Sequence, residues 1–281
     1  MLRHPAATSS RAAFLALAIV LALVPAAEAQ RRRATTADPE RNWLEECERW
    51  GDRDRASVCH EEEFTLSARR GALVVNARPN GGITVVGSNR RDIRLVARMQ
   101  AQAPGESAAR GILDDIEIIT DGEIRAEGPR TGRNEGWSVS FVLEVPREMD
   151  LDLASTNGGI TIEGVAGDLQ LATTNGGLVL NAVAGNVRGR TDNGGVTVTL
   201  EGDRWVGEGL DLQTTNGGVR LRVPDRYNAR LETGTVNGGL DFDFPVTVRG
   251  RISRRLSTDL GEGGAPIRVV TTNGGVSVTR R

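Results

Sequence analysis

The sequence predicts an all-β chain built as a single-stranded parallel β-helix or solenoid, with about 18 residues per coil and a short N-terminal helical cap. Three observations carry this reading. The tripeptide Asn-Gly-Gly occurs seven times, four of them directly after Thr. Successive copies recur at gaps of 18, 18, 23, 21 and 36 residues over the second half of the chain. Between copies the residues alternate apolar and polar, the period of a strand with one buried face.

The N-terminal segment reads as an export signal. Arg3, His4 and Arg11 give a cationic start, and residues 12–24 (AAFLALAIVLALV) form an apolar run too short for a secure membrane span. Pro25 and the A-x-A site Ala27-Glu28-Ala29 follow, so residues 1–29 are expected to be a signal peptide cleaved near Ala29/Gln30. The cleavage point has no cysteine for a lipid anchor, and no later segment reads as a transmembrane anchor. The mature chain is expected in a periplasm or outside the cell.

Residues 30–63 read as a basic linker (QRRRATTA) followed by a disulfide-closed cap. Asp38-Pro39-Glu40 has the form of a helix start, with Asp as N-cap and Pro at the first helical position. Trp43, Leu44, Cys47 and Trp50 share one helical face, and Gly51 ends the segment. Cys47 and Cys59 are the only cysteines. An exported chain would bridge them, for about 3 kcal/mol in the chain-entropy treatment. The alternative, a metal site of Cys47, Cys59, His60 and Glu61 to Glu63, lacks a recognised ligand spacing.

Residues 64–281 read as the solenoid domain, with irregular strands before residue 151 and regular units after it. The turns are Asn80-Gly81-Gly82, Asn157-Gly158-Gly159, Asn175-Gly176-Gly177, Asn193-Gly194-Gly195, Asn216-Gly217-Gly218, Asn237-Gly238-Gly239 and Asn273-Gly274-Gly275. One unit is a strand over residues 168–174, the turn at Asn175, a second strand over 178–183, and a turn at Ala184-Gly185. Glycine is expected at these turns because it tolerates positive φ. The inward positions are pairs such as Ile160/Ile162, Leu169/Leu171, Leu178/Leu180, Val196/Val198, Leu240/Phe242 and Val276/Val278. An antiparallel meander is the rival, since Asn-Gly is a strong hairpin signal. It would leave an apolar face that no long helix covers, whereas a solenoid buries that face internally and stacks Asn into a hydrogen-bonded ladder. Two places break the period: an insertion around Asp203-Arg204-Trp205 and a unit without Asn-Gly-Gly near Arg255.

Composition excludes several activities. Formal net charge is -2, so no global field favours nucleic acid. Lysine is absent, which removes Schiff-base chemistry and a phosphate-loop lysine. The mature chain's single histidine, His60, lies outside the repeats, leaving a Ser-His-Asp triad without a base there. Gly261-Glu262-Gly263-Gly264 reads as a plain turn. Asp241 and Asp243 form the nearest carboxylate pair. Arg220 and Arg222 hold the matching positions one unit earlier, so the four are expected to form an exposed charge ladder.

The run FVLEVPREMDLDLASTNGGITIEG, the unit DLQLATTNGG and the closing GGAPIRVVTTNGGVSV resemble a bacterial adhesin-like family of unknown function with β-strand repeats. The resemblance spans roughly residues 64–281. It implies a right-handed β-helix-like fold on an exported or envelope protein, and it brings no catalytic residues. Some relatives are linked to envelope-stress systems. The expected function is therefore a non-enzymatic envelope or surface protein, an adhesin-like binding or scaffold module without metal or cofactor. Its partner would be an envelope protein or glycan. The alternatives are a β-helical polysaccharide lyase or hydrolase and an envelope-stress regulatory protein.

Overall fold

Each Asn-Gly-Gly turn joins one strand in each of two sheets, and among the described residues both sheets hold ten strands. The computed structural model describes residues 39–49, 55–68, 70–243 and 255–281. The expected signal peptide, the basic linker, Asp38, Trp50 and Gly51 lie outside the described residues.

Five coils follow the sequence. The first is β2 (Leu73–Asn76) with β3 (Ile83–Ser88), and the second is β8 (Leu151–Ala154) with β9 (Ile160–Glu163). The third is β10 (Ala166–Thr173) with β11 (Leu178–Asn181). The fourth is β12 (Ala184–Asn193) with β13 (Val196–Thr199), and the fifth is β14 (Gly209–Asn216) with β15 (Val219–Val223). Neighbouring coils pair in parallel, Leu151 beside Leu169 and Leu169 beside Val187. That disposes of the meander for this stack. The expected inward residues are buried, except that Leu240 and Phe242, at the end of the stack, are only half-buried.

The last two coils stand out of sequence order. β19 (Pro266–Asn273) with β20 (Val276–Arg280) lies directly on the fifth coil. The earlier β16 (Ala229–Asn237) with β17 (Leu240–Phe242) is stacked beyond it. The 36-residue gap is thus not a skipped coil in line. It holds β18 (Arg255–Leu260), which pairs antiparallel with β16 and closes that sheet's edge. The insertion near Trp205 serves the same arrangement. Trp205 is buried and donates its indole N–H to the Gly185 carbonyl (3.0 Å). The Asp203 carbonyl accepts both the backbone N–H (2.8 Å) and the side-chain amide (3.0 Å) of Asn228, at the start of β16.

The residues of the repeated motif divide three tasks. Asn side chains form a continuous ladder, each amide donating to the Oδ1 of the coil before it at 2.7–2.9 Å, in the order Asn80, Asn157, Asn175, Asn193, Asn216, Asn273, Asn237. Two residues before each Asn except Asn80, a buried hydroxyl donates to the first glycine carbonyl of the preceding coil. These are Ser155 to Gly81, Thr173 to Gly158, Thr191 to Gly176, Thr214 to Gly194, Thr271 to Gly217 and Thr235 to Gly274, all at 2.7–2.8 Å. The glycines allow the approach. A Cβ on Gly176 would stand 2.2 Å from the Gly158 carbonyl oxygen, and Gly194 and Gly217 meet the same obstacle at 2.1 Å. At Gly176, Gly194 and Gly217 glycine is therefore needed for closeness between coils, not for the positive φ expected from the sequence. Positive φ belongs to the opposite turns, at Gly164 (66°) and Gly185 (103°).

The N-terminal end departs from the coil pattern. β7 (Gly136–Pro146) pairs parallel with β3, and β4 (Asp92–Ala103) and β1 (Ala56–Ser67) add antiparallel strands beyond it. The other sheet ends in β6 (Ile124–Glu127) and β5 (Glu117–Ile119). β1 takes in Cys59, His60 and Glu61 to Glu63, so strand structure starts upstream of residue 64. Two helices flank this region, α1 (Pro39–Glu48) and α2 (Glu106–Asp114). Leu113 of α2, with Ile116 and Ile118 beyond it, packs against the core, whereas none of the described α1 side chains belongs to the core cluster. α1 instead joins the outward face of β1 through the Cys47–Cys59 disulfide, and Trp43 covers the Arg98 guanidinium at 5.4 Å. The end of the core is covered by α2, a helix absent from the sequence reading.

Candidate functional site

The outward face of the sheet containing β10, β12, β14, β19, β16 and β18 carries the main concentration of polar chemistry. Strand alternation there sends Leu and Thr inward and leaves the intervening residues outward. Registration across coils then aligns them in rows. One row runs Asp152, Gln170, Arg188, Asp211, Arg268, Glu232, Ser257. The next runs Ala172, Arg190, Gln213, Val270, Gly234, Arg255. Ala172 and Gly234 have little or no side chain, so the surface is recessed at those two positions of the second row.

The result is an open trough. Its deeper part has a volume of about 610 Å³ and is lined by Arg190, Gln213, Glu232, Gly234, Arg255 and Val270, among others. A shallower part of about 490 Å³ continues it past Arg188 and Gln170, sharing Arg190 and Gln213. Arg268 is committed to Asp211 through a 2.5 Å contact, and Gln213 donates to the same carboxylate at 3.3 Å. Arg230 bridges Glu232 and Ser257, each at 3.3 Å. Arg188 and Arg190 are exposed and have no ion-pair partner among the described residues. Their nearest cross-strand carboxylate, Asp211, is already held. Two adjacent guanidinium forks over a sunken floor suit carboxylate, sulfate or phosphate groups on an extended ligand.

The sequence-predicted charge ladder is not formed. Arg220 and Arg222 lie outward on β15, and Asp241 on β17, but β20 is interposed, with Ser277 beside Arg220 and Thr279 beside Arg222. Arg220 and Asp241 are thus two strand spacings apart, about 10 Å, on the rim of a separate hollow of about 600 Å³. Asp243 accepts the Arg280 backbone N–H at 3.0 Å. A charge ladder does exist at the other end of that sheet. Glu61 accepts from Arg98 at 2.7 Å, and Arg94 bridges Glu63 (2.8 Å) and Glu144 (3.3 Å). The hydrogen bond from Arg94 lowers the Glu63 pKa below the usual glutamate value. With Cys47 bonded to Cys59, the proposed thiolate metal site loses its sulfur ligands.

Sequence reasoning missed the trough because its rows exist only after registration. The arginines of VRGRTD and the arginine of IRVVTT looked like ordinary outward charges. The alternation Arg188, Arg190 on one strand was the only local signal.

Fold and trough define a stacked, mostly parallel-stranded β protein with a polar outer face. Residues 147–279 match the family model described as Toastrack DUF4097. The stack itself extends upstream of the matched residues through the coil at Asn80. Among solved structures, a candidate cell adhesion protein from Clostridium sporogenes is similar at 10% identity, covering 79% of this chain and 100% of its own, with a TM-score of 0.45. A candidate adhesin from Bacteroides fragilis follows at 9% identity, 79% and 97% coverage and a TM-score of 0.34. Another, from Parabacteroides distasonis, shows 8% identity, 78% and 97% coverage and a TM-score of 0.31. No curated protein matches the chain.

Proposed function

We propose that this chain is an exported, non-enzymatic envelope or surface protein, a right-handed solenoid of about 18 residues per coil that presents its arginine trough to an acidic polysaccharide. The observation that carries the reading is the Arg188–Arg190 pair, exposed without carboxylate partners along a trough floored by Ala172 and Gly234. The Cys47–Cys59 bridge supports export, since such bridges persist in oxidising compartments. No helix among the described residues is long and apolar enough to cross a membrane. A regular stack offers an extended, rigid surface, and a polymer with repeated anionic groups engages several guanidiniums at once.

The test is a binding and cleavage screen of the exported chain against alginate, pectin, glycosaminoglycans and peptidoglycan. Binding of an acidic polymer that weakens with salt and falls at least tenfold in Arg188→Ala/Arg190→Ala is expected. Equal binding by the double variant, or reproducible cleavage of any polymer, overturns the reading.

A further inference from the structure

We propose that the C-terminal coil, β19 with β20, is an exchangeable segment, and that the slot it fills accepts the same coil from a second copy of this chain. The topology is the motive. This coil comes last in sequence, yet it is paired on both sides, with β14 and β15 below and with β16 and β17 above. Until residues 266–280 arrive, the fifth coil and the β16–β17 coil present facing, unpaired strand edges. Such edges are templates for any strand of matching pattern.

The contacts that hold the segment are generic to the stack. Asn273 donates to Asn216 and accepts from Asn237, while Thr271 donates to Gly217 and the Gly274 carbonyl accepts from Thr235. The remainder is main-chain ladder and Val or Ile packing inward, and all of it is available equally to a donor in cis or in trans. The connection is built to swing. From the end of β18 the chain crosses over the start of β16 to enter β19, with Gly261, Gly263 and Gly264 at φ of 56°, 80° and 139°. A loop of this composition can redirect the following segment to a neighbour. The Asn228 side chain ties it down, its Oδ1 accepting the Glu262 N–H at 2.8 Å.

The experiment uses two full-length variants, Arg222→Cys and Thr279→Cys, which occupy register-matched outward positions on β15 and β20. These positions lie away from the trough, so the result is independent of ligand binding. The two variants are unfolded in urea with the Cys47–Cys59 bridge intact, mixed at high concentration, refolded and oxidised. Disulfide-linked heterodimer at least tenfold above a control mixture of Arg222→Cys with Thr161→Cys is expected, because only an exchanged coil brings residues 222 and 279 of different chains together. Yield equal to the control overturns the proposal. Should either cysteine prevent folding, wild-type chains carrying heavy and light isotopes and refolded together decide the question by native mass spectrometry. Mixed dimers sustain the proposal, and monomers alone overturn it.

Discussion

Asn273 donates its side-chain amide to Asn216 at 2.8 Å, across 57 residues of chain, and accepts the amide of Asn237 at 2.7 Å. The ladder therefore reads 216, 273, 237, and the stack is shuffled at one place without losing a rung. Shuffling is possible because every coil after the first offers the same surface to its neighbours: one Asn amide, one buried hydroxyl and one glycine carbonyl. What fixes the order is the surrounding hardware, with Asn228 tied to Asp203 of the inserted loop and to Glu262 of the glycine turn.

The stacking face should be far less tolerant than the outer face. Gly176→Ala drives a Cβ into the Gly158 backbone, so about 3 kcal/mol of stability is expected to be lost. Thr191→Val removes the only donor to the Gly176 carbonyl from this buried row and should lose about 1–3 kcal/mol. Thr197→Ala, on the outer face, should stay within about 0.5 kcal/mol. Urea denaturation of the three variants checks the ranking, and equal midpoints would disprove the close-stacking account.

Ala182 is the place to gain stability. It holds φ at 51°, in the left-handed region, at the position where the coil before it has Gly164 at 66°. Ala182→Gly relieves that strain, less the extra entropy of glycine in the unfolded chain, for an expected net gain of about 0.5 kcal/mol. A lower melting temperature in the variant would refute the strain argument.

Tyr227 provides an optical reporter, being the only tyrosine of the chain. Burial raises its pKa to about 12, with the Asp203 charge a second, smaller cause. The folded state thus favours the neutral phenol. Its contribution to stability is present below the unfolded value near 10 and is lost as pH rises from there through about 12. Tyrosinate absorbance should titrate near 12 in buffer and near 10 in urea. Coincident curves would mean that the phenol is not buried.

The sequence was most legible where the physics is local. Alternation placed Leu169, Leu178, Val196 and Val276 inside, and the two lone cysteines of a chain expected to be exported announced the disulfide. Recurrence of one residue type at one register announced the Asn ladder. The buried hydroxyl row was also written there, as the Ser or Thr two residues before each Asn except Asn80, but its meaning needed the neighbouring coil. α2 was not legible, because Gly111 interrupts a nine-residue segment with few apolar positions and its helix is stabilised by the sheet end it covers.

By itself, the chain determined the unit: its length, its turns, its inward side and the residues able to bond between copies. Only the tertiary structure decided the order of the units, and with it the separation of Arg220 from Asp241 and the assembly of the trough from Arg190, Gly234 and Arg255. The physical reason is degeneracy. Interchangeable stacking surfaces make sequence-neighbour pairing and shuffled pairing nearly alike in local energy, so the choice falls to single contacts such as Asn228 with Asp203, whose partners are distant in sequence.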